Sequence, residues 1–400
     1  MGVFTGKSVD AGHCADQGRA DDPHATRTGL CRRWIGWICA GLIWCLAGIP
    51  ASAVTAETLR IASYGAAFSR EGPGLLLRDT LAEDDPQVGA AIAAILETQP
   101  DILVLTEFDF DLGQAALTAL ATSLRNQALD YPYQFSLTPN SGLSTGLDLD
   151  GNGARGEARD AMGYGRFAGD GGLAILSRWP IDTANVRDFS GLLWRDLPGA
   201  TLPVVDGQPF LSAQVQAMQR LSSTGHWAVP IVPGTGPPLT LLVWAATPPV
   251  FDGPEDRNGL RNRDELWLWQ VYLDGGFGPP PDQFVIVGNA NLDPVDGGGI
   301  HAAMVDFLAD PRLQDPAPRS DGGVAAADPG QTSDPALDTA DWPDDAPGNL
   351  RVSYVLPSAS LKVTGAGVFW PGPDDPKVAL LGSEGLDAGP HRLVWVDLDW

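Results

Sequence analysis

Polar side chains gather behind one short apolar run, which is where α/β folds commonly place chemistry. Phe284–Val287 is rich in β-branched residues and is followed by Gly288, so it predicts a buried strand. The turn behind it carries four side chains that could ligate a cation or orient water: Asn289, Asn291, Asp293 and Asp296. The alternative is a turn of Asn, Asp and Pro that caps the strand. The residues alone leave both interpretations open.

A second candidate cation site lies in a long polar insertion. Asp148, Asp150 and Asn152 follow the spacing D-x-D-x-[DN]-G, which is the front half of a calcium loop. The glutamate expected at the twelfth loop position is absent, because Arg159 stands there, and Asp160 is out of register. A structural Ca²⁺ site and a solvated Asp/Asn/Gly loop are both consistent with this segment.

The other candidates are one carboxylate and a few histidines. Glu107 follows the apolar run Asp101–Thr106, a predicted buried strand, and it can hold a metal only if other carboxylates converge on it. Outside the N-terminal segment the chain has three histidines: His226, His301 and His391. For His391 the alternative to a chemical role is a hydrogen-bonded residue at a strand edge.

The N-terminus has the pattern of a secretory signal. Arg32 and Arg33 precede an apolar run, Trp34–Ile49, that ends in Pro50–Ala53. A basic region, an apolar stretch of this length and an A-x-A cleavage site are typical of a signal peptide, and the run is short for a membrane span. We therefore predict that residues 1–53 are an N-terminal extension and signal peptide, and that the protein is exported to the periplasm or secreted. All four cysteines lie in this segment: Cys14, Cys31, Cys39 and Cys45.

The charge balance limits the classes of partner. The chain has 25 basic and 50 acidic residues, for a formal net charge of −25. Such a protein offers no cationic footprint for phosphate backbones or anionic headgroups. Duplex nucleic acid and a membrane surface are therefore not expected partners, and removal of the signal leaves no predicted membrane span.

Strand and helix patterns alternate through the rest of the chain. Predicted strands are Leu59–Tyr64, Asp101–Thr106, Gly172–Ser177, Leu239–Ala246, Phe284–Val287, Asn349–Leu356, Leu361–Phe369 and Arg392–Leu398. Predicted helices are Gln87–Glu97, Leu112–Arg125, Asn258–Leu273 and His301–Leu308. This alternation indicates an α/β layer fold, and residues 54–400 are predicted to form one domain. Within it, residues 315–347 form an acidic excursion rich in Pro, Gly and Ala, predicted to be a loop or disordered.

Taken in chain order, these strand ends resemble the endonuclease/exonuclease/phosphatase superfamily, the group of deoxyribonuclease I, in a secreted bacterial branch. The matching pieces are LRIASYG, DILVLTEFD, GGLAILSRWPI, LLVWAATPPVFDGPEDRNGLRN, FVIVGNANLDPVDG, LRVSYVLPS and PHRLVWVDL. The resemblance implies a deoxyribonuclease I-like, four-layer α/β/β/α sandwich with its site at one edge of the paired sheets. It also implies cleavage of phosphoester bonds with Mg²⁺ or a similar divalent ion.

Position by position, the resemblance divides the expected site into kept and replaced residues. Three residues match: the metal-binding Glu107, Asn291 of the G-D-x-N motif, and the phosphate-contacting His391. Five do not, and each stands where the family has another residue: Gly65 for Asn, Ala245 for His, Asn289 for the Asp that orients or deprotonates water, Ser353 for Asp, and Pro390 for the Asp before the final His. Three of the five replacements remove a carboxylate.

Two functions follow from this pattern. In the first, the chain is a catalytically silent or strongly impaired member that binds a small anionic ligand or a protein outside the cytoplasm. In the alternative, it is an active metal-dependent phosphodiesterase or phosphomonoesterase on a small anionic substrate. That alternative needs a rearranged site built from Glu107, Asp293 or Asp296, and His391. Whether the chain is an enzyme is left open by the residues.

Overall fold

The computed structural model describes residues 58–400 except 235, 345–346 and 383–386. The predicted N-terminal extension and signal peptide lie outside the described residues. Residues 55–400 cluster as one compact unit. Among the described residues, no helix is long and apolar enough to cross a membrane.

The strands are β1 Thr58–Phe68, β2 Ile102–Phe108, β3 Tyr133–Phe135, β4 Gly172–Ser177, β5 Arg187–Asp188, β6 Val204–Val205, β7 Gln208–Pro209, β8 Gly225–Ile231, β9 Leu239–Ala245, β10 Phe284–Asn289, β11 Ser353–Pro357, β12 Lys362–Phe369 and β13 Leu393–Asp399. The α-helices are α1 Leu75–Ala82, α2 Pro86–Thr98, α3 Ala115–Asn126, α4 Ala213–Gln216, α5 Arg257–Leu273, α6 His301–Leu308 and α7 Asp321–Ala325. Short 3₁₀ turns cover Ala158–Asp160, Thr183–Asn185, Trp194–Asp196, Pro335–Leu337 and Pro376–Leu381.

Two mixed sheets form the centre of the molecule. The first has the order β12-β13-β1-β2-β4-β3 and the second β11-β10-β9-β8-β5, while β6 and β7 make a separate hairpin. In each large sheet one pair of strands is parallel, β1 with β2 and β9 with β10. Strand β1 packs against β10 and β11 of the other sheet, so the sheets lie face to face. Helices cover the outer faces, and the predicted four-layer α/β/β/α sandwich is confirmed.

The alternation of side chains explains why both faces of β9 and β10 are apolar. Leu241 and Val243 of β9 join the core between the sheets, whereas Leu242 and Trp244 join the core beneath α5 and α6. A strand buried on both faces reads as a continuous apolar run because side chains alternate from one face to the other. The strand that precedes the polar cluster is therefore as predicted.

The excursion between residues 315 and 347 differs from the expectation. A disordered segment was one of the two predicted states, yet its described residues form α7 and a 3₁₀ turn and pack onto the sandwich. Arg351 binds Asp315 at 2.8 Å, and Thr339 and Ala340 are completely buried. Backbone and polar contacts, rather than a large apolar face, hold this segment in place, so composition alone did not reveal its order.

Candidate functional site at the strand ends

Adjacent strands of the second sheet bring three of the replaced positions together. In the second sheet Asn289 pairs with Ala245 on one side and with Ser353 on the other. In the first sheet Gly65 pairs with Thr106, directly before Glu107. The candidate site therefore lies at the ends of β1, β2, β9 and β10 and at the start of β11.

Gly65 and His391 share one space. A Cβ atom on Gly65 would lie 2.9 Å from Cγ of His391 and 3.1 Å from its Cδ2. The imidazole ring thus packs directly on the Gly65 backbone. The asparagine that the family has at this position would require the ring to move, so these two positions are coupled through packing.

Glu107 is the carboxylate that the sequence analysis placed at the metal position. Its backbone has φ of +56°, which is uncommon for a residue with a side chain. Its side chain is 40% exposed, and its Oε1 lies 3.4 Å from Nε2 of His391. Burial acts to raise the pKa of Glu107, but the nearby His391 outweighs it and the pKa is lowered. Glu107 is therefore held as an anion beside the histidine.

Asn289 and Asn291 bind each other. The backbone N–H of Asn291 donates to Oδ1 of Asn289 at 2.8 Å, and Nδ2 of Asn289 donates to Oδ1 of Asn291 at 3.2 Å. The Asn291 amide also donates to the carbonyl of Ala246 at 2.7 Å, and its φ is +49°. These contacts are those of a polar turn that ties two strand ends together.

The two acids of the same turn serve the backbone as well. Asp293 accepts hydrogen bonds from the N–H groups of Val295 at 2.7 Å, Asp296 at 2.8 Å and Arg351 at 2.7 Å. Burial raises the pKa of Asp293, with these donors opposing it. Asp296 accepts from the N–H of Ser333 at 2.8 Å. Both carboxylates therefore fix loops instead of pointing at Glu107 as free ligands.

Oγ of Ser353 and Nδ1 of His391 are among the buried polar atoms that have no hydrogen-bond partner in the described part of the chain. The family's acid before this histidine is Pro390 here, and a proline side chain cannot orient the imidazole tautomer. The indole of Trp342 lies edge-on against the ring, with centroids 5.1 Å apart. His391 is only 2% exposed. A cavity of about 590 Å³ lies elsewhere, lined by Arg60, Trp370 and Trp395 among others.

These residues do not fit a magnesium centre. Mg²⁺ prefers oxygen ligands in octahedral geometry and takes one or two carboxylates together with water and substrate oxygens. Here Glu107 faces an imidazole, the amides of Asn289 and Asn291 bind each other, and Gly65 has no side chain to offer. Among the described residues, the group of three acidic side chains that could hold a metal ion lies in the insertion between β3 and β4.

That cluster lies in the predicted calcium loop, but Asp160 takes the place of the predicted ligand Asn152. Carboxylate oxygens of Asp148, Asp150 and Asp160 lie within 4.8 Å of one another. The sequence spacing places Asp160 one residue beyond the twelfth loop position. A 3₁₀ turn nevertheless brings its side chain to the loop, where it is 2% exposed. Asn152, the third predicted ligand, donates through Nδ2 to Glu157 at 2.6 Å. Arg159 reaches Asp150 at 3.1 Å, so a side-chain cation already lies at this cluster.

A buried polar network on α5 was largely missed by the sequence analysis. Glu265 is fully buried and accepts from the N–H and Oγ of Ser223 at 2.5 and 2.7 Å and from the N–H of Thr247 at 2.7 Å. Arg261 donates to the carbonyls of Leu221 at 2.7 Å and Met162 at 2.8 Å. Burial raises the pKa of Glu265 against the opposing effect of Arg261. The run Arg261–Glu265 in α5, which consists of charged and amide side chains, was the signal in the sequence that could have indicated this network.

The other two histidines are engaged away from the site. Nδ1 of His226 lies 2.8 Å from Oγ of Ser222, and its Nε2 lies 3.0 Å from the carbonyl of Glu265. Burial lowers the pKa of His226 to about 3, so this ring is neutral at physiological pH. His301 has its Nδ1 2.9 Å from the carbonyl of Asp293.

Comparison with known proteins gives the family and a set of similar folds. The model of the Endonuclease/Exonuclease/phosphatase family matches residues 70–388. Similar solved structures include an endonuclease/exonuclease/phosphatase from Beutenbergia cavernae, 17% identical over 86% of this chain and 72% of that one, with a TM-score of 0.48.

Two others are sphingomyelinase C from Streptomyces griseocarneus and a mannosyl-6-phosphatase from Bacteroides thetaiotaomicron. The first is 17% identical over 85% of this chain and 99% of that one, with a TM-score of 0.46. The second is 14% identical over 86% of this chain and 100% of that one, with a TM-score of 0.43. No curated protein matches the chain significantly. Since the family model covers most of its length, the chain belongs to the endonuclease/exonuclease/phosphatase family.

Proposed function

We propose that this protein is a catalytically silent or strongly impaired member of its family, which acts by binding outside the cytoplasm. The observation that carries the proposal is the pairing at the strand ends. Glu107 lies 3.4 Å from His391, Gly65 pairs with the residue before Glu107, and in the second sheet Asn289 pairs with Ala245. One carboxylate beside one imidazole does not assemble the metal cradle that phosphoester hydrolysis uses.

The missing groups compound one another. Asn289 cannot accept a proton near neutral pH, so it cannot activate water as an aspartate does. Nδ1 of His391 has no hydrogen-bond partner among the described residues, so nothing there replaces the aspartate that the family has before this histidine. Catalytic groups that act as a unit fail together, and losing one already removes most of the rate.

Binding in place of hydrolysis requires a partner suited to an acidic protein. The net charge of −25 opposes duplex nucleic acid. A small anionic ligand at the histidine, or a protein that docks at the strand ends, fits the proposal better. The signal-peptide pattern before Val54 supports the proposal that the protein acts in the periplasm or outside the cell.

One observation favours the alternative of an active phosphoesterase. Two of the residues that it needs, Glu107 and His391, do come together, and Glu107 is held ionised. The other acids that it could use are engaged, since Asp293 and Asp296 accept backbone hydrogen bonds. This alternative is an enzyme with a small anionic substrate and a divalent ion.

Hydrolysis assays distinguish the two. The purified protein, Glu107→Gln and the exposed-acid control Glu83→Gln are incubated with bis(p-nitrophenyl) phosphate or p-nitrophenyl phosphate and Mg²⁺ or Mn²⁺. We expect equal background rates in all three, unchanged by EDTA. Turnover that EDTA abolishes, and that Glu107→Gln but not Glu83→Gln reduces, would contradict the proposal and support the enzyme.

A repaired variant sharpens this test. It carries the family residues at all five replaced positions: Gly65→Asn, Ala245→His, Asn289→Asp, Ser353→Asp and Pro390→Asp. We expect it to gain hydrolysis that depends on Mg²⁺, provided that His391 shifts to admit the new asparagine. A rate for the unaltered protein that is above background and equal to that of the repaired one would sink the silent interpretation.

For the acidic loop we propose that Arg159 neutralises the carboxylates in place of a bound metal. The guanidinium of Arg159 donates a hydrogen bond to Asp150, and this bond raises the pKa of Arg159. A structural Ca²⁺ ion remains the alternative at this loop.

A further inference from the structure

Residues Asp338–Trp342 form a strip over the candidate site, here called the cover segment. The Oγ1 of Thr339 accepts hydrogen bonds from the N–H groups of Val352 at 2.9 Å and Ser353 at 3.0 Å. Ala340 pairs with Leu350 as an isolated bridge. The cover segment is thereby joined to the start of β11 in the second sheet.

Its other edge is joined to the first sheet. The N–H of Arg392 donates to the carbonyl of Thr339 at 2.8 Å, and the N–H of Asp341 donates to the carbonyl of Pro390 at 3.0 Å. Trp342 lies edge-on against the imidazole of His391. His391 is 2% exposed beneath these contacts, so movement of the cover segment would uncover the face of the ring that Trp342 contacts.

The apolar anchoring of the cover segment is small. Ala340, Leu350 and Val352 form a satellite cluster with Trp342, separate from the two large cores of the sandwich. Segments with few buried apolar contacts open with less free energy than global unfolding requires. Local opening of residues 338–342 is therefore available to the folded protein.

The first residue of the cover segment is an acid in an unfavourable place. Asp338 is completely buried. One of its oxygens accepts from Nε2 of Gln331 at 2.6 Å, whereas Oδ1 has no hydrogen-bond partner among the residues that the structure describes. Asp293 and Asp296, from the loop after β10, and Asp328, from the chain after α7, repel a charge on it. A protonated carboxyl suits this position, because it carries no charge and has an O–H to donate.

The neighbouring arginines do not relieve this repulsion. Arg351 is bound to Asp315 at 2.8 Å, and Arg392 is bound to Asp341 at 3.0 Å. Asp341 is the other acid of the cover segment. Burial raises its pKa, and the paired Arg392 opposes the shift. Asp338 is therefore the acid of the segment that has no cationic partner among its described contacts.

We propose that the cover segment is a proton-controlled cover of the site, closed when Asp338 is protonated and released when Asp338 is charged. The inference rests on the proposed function only in taking the covered site to be a place where a ligand binds. Burial raises the pKa of Asp338 in the closed state to about 7. Since an exposed aspartate has an ordinary pKa of about 4, the open state loses the proton first as pH rises.

The sign and size of the effect follow from linkage. The closed state binds more protons than the open state between pH of about 4 and 7, so closing weakens as pH rises through that window. The opening constant should increase by up to about tenfold per pH unit there and level off above pH of about 7. Asp338→Asn resembles the protonated acid in shape and charge, so its opening constant should not depend on pH in this way.

Native-state hydrogen exchange of the full chain tests the proposal. The amides of Ala340, Asp341 and Arg392 report opening, since each donates a bond that the cover segment holds. Rates between pH 5 and 8 are divided by intrinsic rates, and the core amide of Ile175 on β4 serves as the reference. We expect protection at the three reporters to fall by up to about 100-fold between pH 5 and 7, with little change at Ile175.

Matched variants decide the outcome. Asp338→Asn should abolish the pH-dependent loss of protection, while Asp306→Asn, at an exposed acid of α6, should behave like the unaltered protein. Trp342→Ala should raise opening at every pH without removing its slope, and it keeps the proposal testable if Asp338→Asn does not fold. Parallel pH profiles for the unaltered protein and Asp338→Asn, or a flat profile for Trp342→Ala, would overturn the proposal. Exchange reads opening directly, so hydrolytic activity in the assays above would leave this result unchanged.

Discussion

Two glutamates of this protein, Glu265 on α5 and Glu107 at the end of β2, have opposite environments. Glu265 is completely buried and accepts three hydrogen bonds, with Arg261 nearby. Glu107 is 40% exposed and has one contact of 3.4 Å, to His391. Glu265 has the hydrogen-bond partners that a buried carboxylate requires. Glu107 stands at the family's metal-binding position, but most of the other site positions carry replaced residues.

The difference extends to what each acid region holds in place. On α5, Arg261 donates to the carbonyl of Leu221 and Asp264 accepts from the N–H of Thr201, so both fix the chain between β5 and β8. Buried polar atoms without a hydrogen-bond partner among the described residues occur in both regions: Oγ of Ser353 and Nδ1 of His391 at the strand ends, and Oδ1 of Asn262 and Nε1 of Trp269 on α5. We therefore expect the fold to depend more on Glu265, which holds buried backbone groups, than on Glu107.

The largest expected effect comes from breaking the α5 network. Glu265→Ala leaves the buried N–H groups of Ser223 and Thr247 without their acceptor, and we expect the free energy of unfolding to fall by about 3–5 kcal/mol. Urea denaturation followed by circular dichroism measures the change. Glu107→Ala is the matched control at the other glutamate, whose side chain is 40% exposed and whose contact with His391 we expect to contribute about 0–1 kcal/mol. Similar losses for both variants would erase the distinction between the two sites.

A smaller effect is expected from placing the family's asparagine at the candidate site. Gly65→Asn forces its side chain against the His391 ring, and overpacking of this kind costs about 1–3 kcal/mol. His391→Ala should remove the clash, so the double variant should be more stable than the sum of the single changes predicts. A double-mutant cycle by urea denaturation measures this coupling. Additive changes would mean that the ring does not occupy the asparagine's space.

The strands and the order of the site residues were predictable because they depend on local pattern. Apolar runs that end in Gly or in polar turns fixed β2, β4, β9 and β10 closely, and the motif order located Glu107, Asn289 and Ser353 at strand ends. Strand β8, Gly225–Ile231, was missed, since its run contains His226 and Pro230. The predicted strand at Asn349 begins only at Ser353, because residues before it bond to the cover segment.

Contacts between distant segments were not predictable. The packing of His391 on Gly65 joins residues that are far apart in the chain, and no local pattern encodes it. The order of the excursion depends on partners such as Arg351 and Arg392, supplied by later strands. Asp160 joins the acidic loop because a 3₁₀ turn redirects the chain. Spacing rules assume one loop geometry and therefore misjudge such a residue.

The smallest predicted change in stability concerns the acidic loop. Its carboxylates are a third case for the comparison, because their partner is the cationic side chain of Arg159. Asp148, Asp150 and Asp160 converge, but Arg159 at the twelfth loop position donates to Asp150. If Arg159 takes the place of an ion, 1 mM Ca²⁺ should leave the melting temperature of the unaltered protein unchanged. Arg159→Glu removes that cation and supplies the carboxylate usual at this loop position.

For Arg159→Glu we expect Ca²⁺ to raise stability by about 1.4 kcal/mol when the ion is at ten times its dissociation constant. Differential scanning calorimetry with and without EGTA measures the shift, and Arg155→Glu, which adds the same charge outside the twelfth position, is the control. A calcium-dependent rise in the unaltered protein would show that Arg159 does not exclude the ion. The loop would then resemble neither glutamate, because its carboxylates would be satisfied by a ligand from solution.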